Sequence, residues 1–519
     1  MGDKEEDVIQ FLQALLEAQA GVRKAIVVRS VEEAQRENVF AAYILPDEEY
    51  IDRTFPEDEV RRVKKWSKVF DLTQLRQESG ASQAEFNIAG WNSSYTRQPI
   101  PPQEMHEWVD RTVQSIVELQ PRNVLEIGCG TGLLLLRLAG RCSRYVGTDI
   151  APVVLKKLRE QMSALPTGWD NVTLLERPAE NFEGFGGGEF DAVVMNSVVK
   201  YFPNAAYLTR VMEGALRAVR PGGAVFVGDV RNLWLLWPYA FSIEFFQAPA
   251  AMSLADLLER IHRRVVCEDQ LVVSPAFFVA LQERLPELAR VEIRLKQGQY
   301  SNEMTRFRFD AVLRRGDGKE AGFAPRWMDW EKQELTLDSI SAMLQKDKPE
   351  RLAIRGIRNA RVEKDVSGLA ALKKASPSSS VGQFKEMLDS MEFRGIDPQA
   401  IWSMAGSLGY RVDLSWKAAR ADGSFDAFFW RPGVSGASKY RCVAWPDPVV
   451  ASQAPGRNTN APGSAGRREK FIEQLSSYIQ QSAQKEVGSI NLILVDEFPV
   501  TADGRVDLKA LPVPAVVAR

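Results

Sequence analysis

Apolar residues at Val8, Phe11, Leu12, Leu15 and Leu16 follow the three-and-four spacing of one helix face and predict a helix over Glu5–Glu17. Two apolar runs, Lys24–Val28 and Val39–Leu45, read as strands and end at the acidic turn Pro46-Asp47-Glu48-Glu49. From Tyr50 to Gln120 the pattern is mainly helical, broken by Pro99-Ile100-Pro101-Pro102 before a helix near Glu104. Five short apolar runs then alternate with helical stretches: Asn123–Ile127, Arg144–Asp149, Val172–Glu176, Phe190–Met195 and Ala224–Asp229. Strands apolar on both faces belong in a parallel sheet covered by helices on both sides. Val291–Lys296 and Arg306–Arg314 bring that α/β sheet to seven strands. Residues 320–440 form a second mixed α/β stretch, with strands at Arg411–Ser415 and Phe425–Trp430. A linker rich in Pro, Gly, Ser and Asn runs from Trp445 to Arg467, followed by a helix at Lys470–Ser482, a strand at Ile490–Val495 and a turn at Asp503-Gly504.

Composition narrows the function. With 66 Lys and Arg against 68 Asp and Glu, the 519-residue chain has a formal charge of −2, which excludes a generally basic nucleic-acid binder. No apolar run reaches the roughly 18–20 residues of a spanning helix, and the opening MGDKEEDVIQ does not read as a signal peptide, so no membrane is expected. Cys129, Cys142, Cys267 and Cys442 are scattered without a paired spacing, which predicts no structural metal and a reducing, cytoplasmic setting. The two histidines, His106 and His262, exclude any histidine-cluster mechanism.

The strongest chemical signal is Val124-Leu125-Glu126-Ile127-Gly128-Cys129-Gly130-Thr131-Gly132, where a buried strand meets a glycine-rich turn and a helix. Glycine there allows positive φ and close approach of a ligand to the backbone. About 20 residues on, the second strand ends in Asp149, placed to accept from the ribose hydroxyls of a nucleoside. A dinucleotide fold would place a third glycine where Leu133 stands. Glu126 would repel a pyrophosphate but favour a sulfonium or an ammonium.

These residues resemble the first motif of Rossmann-like class I methyltransferases that use S-adenosylmethionine (SAM). Phe190–Ser197 is similar to the fourth strand of that family, and Arg220-Pro221-Gly222-Gly223 to the turn into its fifth. Gly90-Trp91-Asn92-Ser93-Ser94-Tyr95, Asn196-Ser197-Val198-Val199-Lys200-Tyr201-Phe202, Val227-Gly228-Asp229-Val230-Arg231 and Asn302–Arg308 resemble the methyltransferase domain embedded in nonribosomal peptide synthetases. Near the end, Phe498–Leu511 resembles the last core motif of an adenylation domain, and residues 5–46 the start of its small C-terminal subdomain. Arg505 stands where that motif carries lysine; arginine keeps the charge but not the compact ammonium. The nucleotide-binding core is missing, so the resemblance implies no adenylation activity.

The implied organisation is a split adenylation-like α+β subdomain (1–50 and 469–519) around a helical N-terminal cap (60–120), a SAM-binding core (121–315), an α/β C-terminal cap (320–440) and a linker (445–467). The implied reaction is methylation of the α-amine of an aminoacyl or peptidyl thioester on a phosphopantetheinylated carrier protein. Other synthetase subunits are further candidate partners. O- or C-methylation of a tethered substrate is the alternative within the class, and a non-catalytic docking module the alternative outside it. Cofactor candidates are Glu126, Gly128, Cys129, Gly130, Asp149, Ile150, Asn196 and Ser197, with Glu180 toward the adenine and Trp91 and Tyr95 closing over SAM. Catalytic candidates are Tyr201 to orient the amine, Asp229 to accept its proton through water, and Arg231 to hold Asp229 or the thioester arm. His106 reads as a surface residue and His262 as part of a basic face. The aromatic run Trp234, Trp237, Tyr239, Phe241, Phe245 and Phe246 reads mostly as core, with one or two lining an acyl pocket.

Overall fold

The computed structural model describes residues 2–29, 39–55, 59–75, 86–165, 168–320, 322–433, 442–448, 458–483, 489–495, 498–499, 501, 505–508 and 511. The chain divides into two compact units, residues 1–58 with 463–519, and residues 59–462.

The first unit is assembled from both ends of the chain. Strand β1 (Val22–Arg29) pairs antiparallel with β2 (Val39–Pro46), and the strand Ser489–Leu494 adds parallel to β2 on its other side. The helices Gly2–Glu17 and Ser464–Ala483 cover one face, where Leu12, Leu16, Phe471, Leu475 and Ile479 are buried with Ala25, Phe40 and Ile44. The expected turn at Asp503-Gly504 lies outside the described residues.

The second unit is built on β3 (Asn123–Ile127), β4 (Arg144–Asp149), β5 (Val172–Glu176), β6 (Phe190–Asn196), β7 (Val219–Arg231), β8 (Leu288–Leu295) and β9 (Arg308–Arg315). They lie in the order β5-β4-β3-β6-β7-β9-β8. The first five are parallel, and β9 runs antiparallel between β7 and β8. Alternate residues of the central strands point to opposite layers: Leu125, Val193, Val225 and Val227 to one buried cluster, Val124, Ala192, Val194 and Phe226 to the other. Burial on both faces explains the unbroken apolar runs. Pro102 opens the helix Pro102–Val117, whose stripe Met105, Trp108, Val109, Thr112 and Ile116 is buried.

The sheet does not stop at the expected seven strands. It continues through β10 (Trp327–Asp329), β11 (Arg351–Ile357), β12 (Arg411–Ser415) and β13 (Phe425–Trp430) to eleven. The join is narrow, since β12 pairs with β8 at Ser415 and Arg294 alone. The Ser415 hydroxyl also donates to the Ile293 carbonyl at 2.8 Å. Among the described residues no helix is long and apolar enough to cross a membrane.

Candidate active site

Beyond the C-terminal ends of β3, β4 and β6 lies a cavity of about 390 Å³, the side of an open parallel sheet on which ligands bind. The glycine-rich turn forms one wall. The Gly128 and Cys129 amides both donate to the Thr148 carbonyl, at 2.7 and 3.0 Å, so the turn is tied to β4. Gly128, Gly130 and Gly132 all take positive φ, at 74°, 52° and 79°. A Cβ on Gly128 would meet Val198 at 2.5 Å, whereas one on Gly130 would meet nothing within 4 Å. Gly128 is therefore glycine for packing, and Gly130 leaves an open cradle beside the cavity.

Two acids line that wall. Asp149 accepts from the Gly130 amide and the Ala151 amide, both at 2.9 Å, so it braces the turn as well as facing the cavity. Burial raises its pKa, and these amides oppose the rise. Glu126 is buried and accepts from the Tyr145 hydroxyl at 2.8 Å. Burial pushes its carboxyl up to about 8, against the Tyr145 bond and with help from the Asp149 charge.

Cys129, Ile150, Asn196, Ser197, Trp91 and Tyr201 also line the cavity, with Trp66, Phe70 and Trp108 supplying further aromatic surface. Trp66 and Phe70 come from the helix Glu59–Leu75 and pack on Tyr201 with ring centroids 4.7 and 4.9 Å away. Burial pushes the Tyr201 phenol up to about 12, which suits orienting a group and not accepting its proton. Trp66 Nε1 and Asn196 Oδ1 are buried with no hydrogen-bond partner among the described residues.

Four sequence candidates fall outside the cavity lining. Tyr95 does not close over it: its hydroxyl bonds Ser242 at 2.8 Å and accepts from Arg306 at 3.2 Å, with its ring against Phe246. Glu180 accepts from Arg210 at 3.3 Å, a surface pairing in place of an adenine contact. Asp229 sits behind the cavity wall, accepting from Trp108 Nε1 at 3.1 Å, the Ser197 hydroxyl at 2.8 Å and Arg308 at 2.6 Å. Despite burial, Arg308, Lys296 and Lys200 hold its carboxyl well below the ordinary carboxylate range, which makes it a poor proton acceptor. Arg231 does not hold Asp229; it donates to Glu268 at 2.8 Å and to Gln270 at 3.0 Å. Arg308 takes that part, and it also donates to Glu303 at 3.3 Å.

Of the aromatic run after β7, Phe241 is buried, Trp234, Trp237, Tyr239 and Phe245 are half-buried and Phe246 is exposed, and none of the six lines the cavity. His106 is exposed and stacks on Phe86 with ring centroids 3.7 Å apart, and exposed His262 faces Trp237. Among the described residues no group of acids, cysteines and histidines could hold a metal ion.

Several cavity residues were not singled out from the sequence, Trp66, Phe70 and Trp108 among them, and the one with chemistry to offer is a lysine. Lys200, on the short turn Val199–Tyr201 after β6, is buried and donates to the Ser197 hydroxyl oxygen at 2.8 Å. It lies over the rings of Trp91 and Tyr201, 5.0 and 5.2 Å from their centroids. A single lysine inside Ser197-Val198-Val199-Lys200-Tyr201-Phe202 was its signal, masked by the usual placement of lysine at the surface.

A methyltransferase-domain family model matches residues 125–225, from β3 through the glycine-rich turn into β7. The chain is 37% identical over 453 residues to the chondramide synthase of Chondromyces crocatus, covering 86% of this chain and 11% of that protein. The chain carries a SAM-dependent methyltransferase domain of the nonribosomal peptide synthetase kind. The beauvericin nonribosomal cyclodepsipeptide synthetase of Beauveria bassiana is 27% identical over 521 residues, covering 94% of this chain and 16% of that protein. The methyltransferase chain thus spans a small part of the length of the synthetases it matches. Among solved structures, the N-methyltransferase NodS from Bradyrhizobium japonicum WM9 is 17% identical, covering 40% of this chain and 97% of that one, with a TM-score of 0.27.

The cavity of the methyltransferase fits SAM. Its open side at Gly130 admits a ligand to the backbone, the carboxyl oxygens of Glu126 and Asp149 can accept from a ligand's donors, and Trp66 Nε1 and Asn196 Oδ1 are lining atoms without a hydrogen-bond partner among the described residues.

Proposed function

We propose that this domain transfers the methyl group of SAM to the α-amine of an aminoacyl or peptidyl thioester held on a carrier protein. The observation that carries the reading is the make-up of the cavity beyond the glycine-rich turn. Its wall there is largely aromatic, and the described lining residues include no histidine and no carboxylate besides Glu126 and Asp149. The lysine among them, Lys200, has an ammonium brought by burial to about 7, near that of an α-amine and far below a phenol. Bound SAM supplies an activated methyl carbon, and the protein's part is to align the nucleophile at about 3 Å from it. A free α-amine with pKa about 7.7–8.0 is roughly a tenth to four tenths neutral around pH 7 to 7.5. A phenol of pKa about 10 would be ionised to about one part in a thousand and would need a strong base. The lining therefore favours nitrogen over oxygen or carbon as the methyl acceptor.

On this reading, Asp149 holds the ribose hydroxyls, Glu126 the methionine cation, and Gly128, Cys129 and Gly130 the backbone cradle. Ile150, Asn196 and Ser197 line the cofactor side, Trp91 shields the sulfonium and Tyr201 orients the amine. Asp229 and Arg231 are positioning residues. The split unit with Arg505 is an adenylation-like remnant without adenylation activity. Mass spectrometry of carrier proteins loaded with different aminoacyl groups, after incubation with SAM, tests the reading. One added methyl located on the amino nitrogen supports it; methylation confined to oxygen or carbon, or none on any loaded carrier, overturns it.

A further inference from the structure

Among the described residues Lys200 is the one amine that lines the cavity, and its bonding fixes which way its lone pair is free. Asp229 is ionised, so the Ser197 hydroxyl donates its hydrogen to Asp229 Oδ2 at 2.8 Å. The Ser197 oxygen can then only accept, and it does so from Lys200 Nζ at 2.8 Å. A neutral amine bonded in this way spends an N–H on Ser197 and keeps its lone pair for another partner. No carboxylate lies within ion-pair distance of Nζ among the described residues. The charged groups that act on it are Arg308 and Arg231, which disfavour a third cation, and Asp229 and Glu303, which favour one. Burial, with the two arginines acting in the same direction, outweighs the two acids and brings the ammonium down to about 7. The charged form also has a place, over the faces of Trp91 and Tyr201. Both protonation states are thus accommodated without moving the backbone, which the Leu271 amide pins through the Lys200 carbonyl at 2.8 Å.

We propose that Lys200 is the proton acceptor of the methyl transfer, taking one N–H proton of the substrate's α-ammonium onto Nζ. The inference rests on the N-methylation reading above. The proton moves from the ammonium nitrogen to Nζ, which leaves a lone pair on the substrate nitrogen. That pair forms the new N–C bond as the S–CH3 bond of SAM breaks and its electrons stay on sulfur. The products are the N-methylated ammonium, S-adenosylhomocysteine and a protonated Lys200, which returns its proton to solvent. The sulfonium of SAM, a cation in the same cavity, disfavours the charged lysine further, so cofactor binding readies the base.

Two measurements on the full chain test this. In NMR of protein labelled with 13C at lysine Cε, the signal missing from Lys200→Met should titrate near neutrality. It should move to lower pH with SAM and less with S-adenosylhomocysteine, which lacks the sulfonium. Lys200→Met should still bind SAM yet lose about 100-fold or more in turnover of an aminoacyl carrier, the lower range of general-base contributions. Lys200→Ala should regain activity with added methylamine in proportion to its free-base concentration, which a packing role would not produce. A Lys200 signal titrating near 10, or variants that keep turnover within a few-fold with an unchanged pH profile, would overturn the assignment. If wild type methylates the amine and the variants do equally well, Lys200 fails and N-methylation stands. If wild type methylates oxygen or carbon instead, the N-methylation reading fails and this role falls with it.

Discussion

Asp149 shows how one side chain can serve two purposes at once. Its position after the second strand was legible from spacing alone, but its grip on the Gly130 and Ala151 amides was not, because hydrogen bonds across a turn leave no periodic trace. A substitution there should therefore reach beyond the ribose. Asp149→Asn keeps one carbonyl acceptor and loses the charge, so SAM affinity measured by calorimetry should fall about 10- to 100-fold, the scale of one charge-assisted bond. Asp149→Ala should lose that and also lower the stability of the ligand-free chain. Glu126 carries the pH signature. A carboxyl raised to about 8 contributes stability in full below its unfolded value near 4.3, and the contribution is lost as pH rises toward and through 8. Between about pH 5 and 7, wild type should lose stability relative to Glu126→Gln, at up to about 1.4 kcal/mol per pH unit. Denaturant titrations of the two proteins would show it, and parallel curves would contradict the raised value. Asp229 was misread from sequence for a related reason. A carboxylate at a strand end looks like a base until Arg308, 79 residues away along the chain, is seen to neutralise it.

At the scale of elements, the glycine-rich turn divides its labour in a way a motif does not display. Gly128 and Gly130 look equivalent in the sequence, yet Val198 fills the space beside one and the other faces open space. Gly130→Ala should leave a folded chain, at a cost of roughly 1–2 kcal/mol for the left-handed backbone, while its methyl group enters the cradle and lowers SAM affinity. Gly128→Ala adds a clash with Val198 and should be the less stable of the two. Thermal unfolding with and without SAM separates these outcomes; equal behaviour of the pair would refute the division. The same side of the sheet carries two non-glycine residues in left-handed backbone, Ser197 and Asp229, at φ 61° and 62°, joined by their hydrogen bond. Strain of this kind persists where its surroundings fix it, and here it sets the Ser197 hydroxyl between Asp229 and Lys200. The strands of the sheet were readable because both-face burial leaves unbroken apolar runs. Their continuation to eleven was not, since a join of one residue pair between β12 and β8 is a fact of packing and leaves no pattern in the local sequence.

For the whole molecule, the decisive feature is where the chain places its ends. Ser489–Leu494 runs alongside β2, residue Ser489 beside Val39 and Leu494 beside Ile44, so one small sheet closes over a separation of about 450 residues. A flexible connection of that length adds slowly to closure entropy, but a folded insert replaces it with a fixed span. Every residue that lines the cavity lies between 63 and 270, inside the unit 59–462 with its own buried clusters. Chemistry and chain closure are thus carried by different units, and the sequence order, which nests one inside the other, hides that separation. Residues 59–462 produced alone should fold and bind SAM within a few-fold of the full chain, as judged by calorimetry and by a cooperative unfolding transition. The complementary variant, Leu475→Asp, places a charge in the small unit's core beside Leu12, Leu16 and Ile479 and should unfold that unit while leaving SAM affinity unchanged. Loss of SAM binding in both proteins would mean that the small unit supports the cavity. Retention in both would assign it a task outside the methyl transfer itself.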